Sequence, residues 1–178
     1  RRQRQMCIRD SFGHDRSEGF AEYVEYGRDL GMEVVRADAF AMGEVNVSSS
    51  MVRACLAEGE VGIAARCLTR PYEITGRVVH GFHVGHELGF PTANIQVEDS
   101  QKLIPKNGVY AVWVKGKIGG EEHVWGGMLN IGLRPTMENG ENRTIEVHLL
   151  DFAGDLYGCR LTLSFVRRLR DERKFRNK

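Results

Sequence analysis

Three short stretches of the chain combine residue types that could do chemistry. In Gly89-Phe90-Pro91-Thr92-Ala93-Asn94, Pro91 fixes its own φ and pushes Phe90 towards an extended form. Thr92 and Asn94, two apart on an extended segment, then point to one side. A hydroxyl and an amide oxygen offer the hard oxygen ligands that Mg²⁺ accepts alongside waters and phosphate oxygens. A turn in which both side chains bond nearby backbone would use the same residues. Just upstream, Gly81, Gly85 and Gly89 stand within the run His80–Asn94. Glycines let a backbone approach a ligand closely and turn several amide protons onto a phosphate. A flexible hairpin would look the same, and no G-x-x-x-x-G-K-[ST] loop occurs in the chain. In the third stretch Ile145, Val147 and Leu149 alternate with Thr144, Glu146 and His148. One face is apolar and the other has a carboxylate at its centre. That carboxylate could take a proton from an alcohol held within about 2.6–3.2 Å, or simply belong to a solvated sheet face.

All three stretches fall where the pattern reads as strands. From Tyr72 onward, β-branched and aromatic runs recur between Gly, Pro, Asn and Asp: Tyr72–His80, Ala93–Val97, Val109–Ile118, His123–Ile131, Arg143–Asp151 and Arg160–Val166. Strands connected without helices predict an antiparallel sheet that closes into a sandwich or barrel. Before them the chain reads as helical with one short strand. An amphipathic helix is expected over Gly19–Met32 and a strand at Glu33–Val35. A serine-capped helix follows at Met51–Ala57, and another at about Val61–Leu68, before Pro71. The tail Arg167–Lys178 reads as helical, its basic residues interleaved with Asp171 and Glu172 as on a solvated face.

The chain has 178 residues, 42% of them hydrophobic and 28% charged, with a formal charge of +1. That is the mix of a soluble folded protein. No apolar run approaches the roughly 18–20 residues that span a bilayer, and no apolar stretch near the start predicts a secretory signal. Balanced charge and 8% aromatic residues argue against a nucleic-acid groove lined with cations and stacking rings. Cys7, Cys55, Cys67 and Cys159 have no C-x-x-C spacing, so a zinc site is not expected, and reduced thiols in a cytosolic protein are. Residues 1–11 show no apolar periodicity and lead into no helix or strand. Arg4–Ser11 resembles the translation of a transposon-end sequencing adapter, so this stretch is expected to be non-native.

GFPTAN (89–94), NIGLRPT (130–136), EVHLLDF (146–152) and RDERKF (170–175) occur in this order, and together they resemble bacterial riboflavin kinase. That module is the C-terminal half of the bifunctional riboflavin kinase/FAD synthetase. The resemblance implies a mainly β fold, a six-stranded antiparallel Greek-key barrel over 69–178. It implies transfer of the γ-phosphoryl group of ATP to the terminal ribityl hydroxyl of riboflavin, giving FMN. On this sequence Thr92 and Asn94 would hold Mg²⁺ and the phosphates, and the loop with Gly81, Gly85 and Gly89 would cover them. Glu146 would be the general base. Asn130 and Arg134 would sit near the substrates, and a C-terminal helix with Arg170, Asp171 and Phe175 would help cover the flavin. The family often has Arg where this chain has His86, and a neutral imidazole would hold a phosphate less well.

Residues 12–68 resemble the end of an FMN adenylyltransferase domain, an α/β nucleotidyltransferase. Ser48, Ser49 and Arg53 match an S-S-[ST]-x-x-R motif that sets hydroxyls, a helix N-terminus and an arginine around ATP phosphates. Residues 12–68 contain no H-x-G-H nucleotide loop, so adenylyltransferase activity is expected of a longer parent only. The leftover segment is expected to expose a sheet edge and apolar surface. The alternative to a working kinase is a disabled barrel that still binds flavin or nucleotide. Small-molecule substrates, no nucleic acid, no membrane and a cytoplasmic location complete the expectations; the sequence does not give the oligomeric state.

Overall fold

The computed structural model describes residues 5–8, 19–36, 40–43, 45–80, 92–135 and 141–172, and of 5–8, 134–135 and 141–142 the backbone only. The chain divides into two compact units, Arg1–Val47 and Ser48–Lys178.

In the first unit, strand β1 (Gln5–Ile8) pairs in parallel with β2 (Glu33–Arg36). This corrects the expectation that residues 1–11 lead into no element. Met6-Cys7-Ile8 is a short run of strand-compatible residues, and β2 offers it an edge. Helix α1 (Phe20–Asp29) lies between the two strands in sequence, and Glu22 Oε2 accepts a hydrogen bond from the Gly19 amide at its start. Strands β3 (Ala41–Met42) and β4 (Val45–Asn46) form a small hairpin, each too short to show periodicity.

The second unit opens with helix α2 (Ser49–Glu58), capped by Ser48, whose Oγ accepts from the Met51 amide at 3.3 Å. Helix α3 (Val61–Leu68) ends on Thr69 in the left-handed region, two residues before Pro71. Six strands follow: β5 (Glu73–Val79), β6 (Thr92–Val97), β7 (Gly108–Ile118), β8 (Glu121–Pro135), β9 (Glu141–Leu149) and β10 (Arg160–Arg170). They close a barrel in the order β10-β5-β6-β9-β8-β7, with every pair antiparallel. The order is of Greek-key type, because β6 to β7 and β9 to β10 connect strands that are not neighbours. Alternate residues of each strand fill the interior. Ile74, Val112, Val114, Leu129, Ile131, Val147, Leu161, Leu163 and Phe165 are all almost wholly buried. Leu56 and Val61 belong to the same core, so the apolar faces of α2 and α3 are spent on the barrel. The compact unit therefore begins at Ser48, ahead of the strand region that starts near residue 69.

Up to residue 172 the tail departs from its expected helix, and 173–178 lie outside the described residues. Arg167–Arg170 continue β10, and 171–172 follow without helical structure. The register of β10 against β7 shifts between Phe165 and Arg167 and again between Arg168 and Arg170. Two bulges so close together erase the period-two pattern by which a strand is read, leaving a basic run that resembles a helix surface. Among the described residues no helix is long and apolar enough to cross a membrane.

Candidate active site

The stretches singled out in the sequence lie side by side. Strands β6, β9 and β8 are neighbours, and their register sets Asn94 opposite Glu146 and Glu146 opposite Asn130. Directly opposed residues share a face, with Cβ atoms about 4.5–5.5 Å apart. Two residues along, Thr92 stands opposite His148, and His148 opposite Met128. The intervening Ala93, Val147 and Leu129 pack with the core. Thr92, Asn94, Glu146 and Asn130 therefore all project from the outer wall of the barrel, where Asn94, Glu146 and Asn130 are half-buried and Thr92 is exposed. The row runs on through Val109 of β7 to Arg170 of β10. Val109, though on the outward side, is 4% exposed, so the outer wall is covered at this end.

Part of that cover is the segment leaving β10. The Glu172 carboxylate lies against Gly132, where an added Cβ would come within 2.2 Å of Glu172 Oε1. Gly132 is two residues beyond Asn130 and shares its face. Arg168 Nη2 donates to Asp171 Oδ1 at 2.7 Å, and Arg170 Nη1 donates to the Asp171 carbonyl at 3.1 Å. Asp171 holds the Arg168 guanidinium above its ordinary pKa.

Arg170 thus sits at the end of a strand, and Asp171 just after it, rather than on a helix. Arg134 is placed by its backbone alone, opposite Asn142. Gly81, Gly85, Gly89, His86 and Phe175 lie outside the described residues. Ser48, Ser49 and Arg53 occupy the first turns of α2, apart from the strands of the row; Arg53 Nη1 donates to Ser49 Oγ at 3.3 Å. Where β6 and β9 part beyond the row, Gln96, Asp99, Ser100, Lys102 and Arg143 help line an open cleft of about 280 Å³, and none of the expected site residues lines it. Sequence reasoning passed over Gly132, Arg168 and Glu172. Strand alternation placed His148 beside Glu146, but nothing local in the sequence signals that Glu172 returns to Gly132.

The family model for flavokinase, riboflavin kinase, matches residues 68–178. The chain is 43% identical over 164 residues to the bifunctional riboflavin kinase/FMN adenylyltransferase of Pseudomonas fluorescens, covering 92% of this chain and 51% of that protein. It is 39% identical over 164 residues to the protein of the same description from Escherichia coli K12, covering 92% and 50%. It spans about half the length of these curated relatives. Among solved structures, the crystal structure of a macrolide-efflux protein from Streptococcus pneumoniae superposes with a TM-score of 0.80 at 29% identity, over 96% of this chain and 53% of that one. With the family match spanning the whole barrel and the relatives sharing most of the chain, this protein belongs to the riboflavin kinase family.

Proposed function

We propose that the chain phosphorylates riboflavin on its terminal ribityl hydroxyl with the γ-phosphoryl group of ATP, and that the reaction runs along the outer wall of the barrel. The observation that carries this reading is the register row Asn94–Glu146–Asn130, with Thr92 in the next row. Phosphoryl transfer asks a protein mainly to position the partners and balance charge. Glu146 accepts the proton of the ribityl hydroxyl as the oxygen turns towards phosphorus, while the amides of Asn94 and Asn130 flank it and keep the hydroxyl in line. Half-burial strengthens these contacts and keeps competing water away.

The donor set fits a hard cation. Thr92 and Asn94 present oxygens from one face of β6, and among the described residues no three His, Cys, Asp or Glu side chains converge to take a metal. Mg²⁺ held there would complete its shell from phosphate and water, and when bound it would neutralise charge on the phosphates. The glycine-bearing loop at 81–89 is assigned to covering the phosphates, Arg134 and the segment with Arg170 and Asp171 to the flavin side. In the same reading residues 12–68 belong to an adenylyltransferase domain of the kind the relatives' description names.

The test is FMN formation from riboflavin and Mg·ATP. Glu146→Gln keeps the shape and removes the base, and should lower kcat by about 10²–10⁴-fold while leaving riboflavin binding nearly intact. Normal turnover by that variant rules out Glu146 as the base. Thr92→Ala should raise the Mg²⁺ and ATP concentrations needed; unchanged requirements rule out the metal assignment.

A further inference from the structure

The guanidinium of Arg168 occupies a slot cut by two glycines. Opposite Tyr110 in the register, Arg168 belongs to the row that faces the core, and its side chain turns in at the end of the barrel. Gly59, the left-handed residue that closes α2 (φ 79°), could not be alanine without a Cβ 2.6 Å from Arg168 Cδ. At Gly108, the first residue of β7, a Cβ would lie 2.9 Å from both Nε and Nη2. Within the slot Nη2 donates to the Asn107 carbonyl at 2.7 Å, and beside it the Tyr110 hydroxyl donates to the Lys106 carbonyl. The outer end of Nη2 meets Asp171. The side chain is 22% exposed and Asp171 82%. One residue later Glu172 lies on Gly132, on the face that carries Asn130 and Glu146. The second bulge of β10, between Arg168 and Arg170, is what lets the chain pass from the core side to this outer face.

We propose that Arg168 is a positioning residue for the riboflavin side of the site: anchored between Gly59 and Gly108, it fixes Asp171 and so seats Glu172 against Gly132, at the end of the Asn94–Glu146–Asn130 row. The proposal rests on the kinase reading above. A half-buried anchor with a short reach is suited to this task, because an exposed ion pair alone is worth little, whereas a planar fork fixed at one end holds its partner at the other.

The experiment measures riboflavin affinity by quenching of flavin fluorescence, the riboflavin and ATP KM values, kcat, and the thermal midpoint. The proteins are wild type, Arg168→Met, Arg168→Lys, Asp171→Asn and the Arg168→Met/Asp171→Asn double variant. Arg168→Met should weaken riboflavin binding by about five- to thirty-fold, within the coupling range of residues in one network, with ATP KM and kcat within about two-fold. Lysine should restore part of the affinity. The double variant should be no weaker than Arg168→Met alone, because both changes break one linkage. If Arg168→Met loses too much stability to be assayed, the lysine variant carries the same cycle with Asp171→Asn. Equal losses for riboflavin and ATP, an additive cycle, or a lowered thermal midpoint with unchanged riboflavin affinity would each overturn the assignment while the wild type still makes FMN. A wild type that neither binds riboflavin nor forms FMN overturns the kinase reading, and this proposal with it.

Discussion

Adding one methyl group at Gly132 should spare the barrel and damage the reaction. In Gly132→Ala the new Cβ falls 2.2 Å from Glu172 Oε1 and 2.8 Å from its Cδ, whereas ordinary contact begins near 3.4 Å. The carboxylate must therefore withdraw by about 1 Å, and it is the far end of a side chain on an exit segment, so it is free to do so. Gly132 is buried, but because the group that must yield is the end of a flexible side chain the stability cost should stay below the about 1–3 kcal/mol of core overpacking. Riboflavin positioning is less tolerant, since a misplacement of about 1 Å in a positioning group can cost about 10²-fold. We expect kcat/KM for riboflavin to fall by about 10–100-fold, with the ATP KM close to wild type. Gly76→Ala is the control. Its Cβ would meet the Gln96 backbone carbonyl at 2.5 Å and Ile95 Cγ2 at 2.6 Å, and neither group has room to retreat. Overpacking of this kind costs about 1–3 kcal/mol, a drop in thermal midpoint of about 4–12 °C for a unit of this size, with turnover per folded molecule retained. The assay pairs thermal melts with FMN formation for both variants. Wild-type kcat/KM in Gly132→Ala, or a loss of stability equal to that of Gly76→Ala, would refute the contact between Glu172 and the outer face.

Two further outcomes follow from the helices and the core. Ser48→Ala removes the acceptor that caps α2. At 3.3 Å this is a long hydrogen bond, so the loss should lie at the lower end of the roughly 0.5–2 kcal/mol range for caps, read from chemical denaturation. Burial pushes the Tyr72 and Tyr110 hydroxyls above the ordinary tyrosine value. An unfolded tyrosine loses its proton near pH 10 while the folded one keeps it, so above that pH the unfolded state binds fewer protons and stability falls. The contribution is complete below pH 10 and is lost as pH rises towards the folded values. Tyr72→Phe, which also gives up the hydrogen bond to the Leu103 carbonyl, should flatten the alkaline decline measured by denaturation between about pH 9 and 11; an unchanged slope would count against this origin.

What the sequence disclosed was whatever repeats at a fixed period. The six strands are legible because β-branched and aromatic runs stand out between Gly, Pro, Asn and Asp, most clearly where Ile145, Val147 and Leu149 alternate with Glu146 and His148, and α3 matches its expected bounds because its apolar face recurs at helical spacing. Where the period fails, the reading fails. The bulges beside Arg167 and Arg170 hid the end of β10, and β3 and β4 are two residues each. Gly132 closed the expected run at Ile131, although β8 extends from Glu121 to Pro135. Amphipathicity showed that α2 and α3 have an apolar side but not what that side covers; only the fold joins Leu56 and Val61 to the barrel core. For the candidate site, the alternation fixed which residues share a strand face. It did not reveal the contact between Glu172 and Gly132, forty residues apart, because no local pattern encodes a chain's return.

The same alternation ties the core to the outer wall. The interior of a six-stranded barrel is narrow, and the inward side chains fill it, so a substrate has no room inside and any site must be built outside or at an end. Because side chains alternate with period two, placing Ala93, Val147 and Leu129 inward necessarily places Asn94, Glu146 and Asn130 outward. A slip of β9 by one residue would point Glu146 into the apolar interior and carry Val147 to the surface, burying a charge and exposing a core residue at once. The hydrophobic set thus enforces the register with far more energy than the polar row could supply for itself. The alignment of the row is therefore set by the core beneath it, and the positions of Asn94, Glu146 and Asn130 follow from the packing of their inward neighbours.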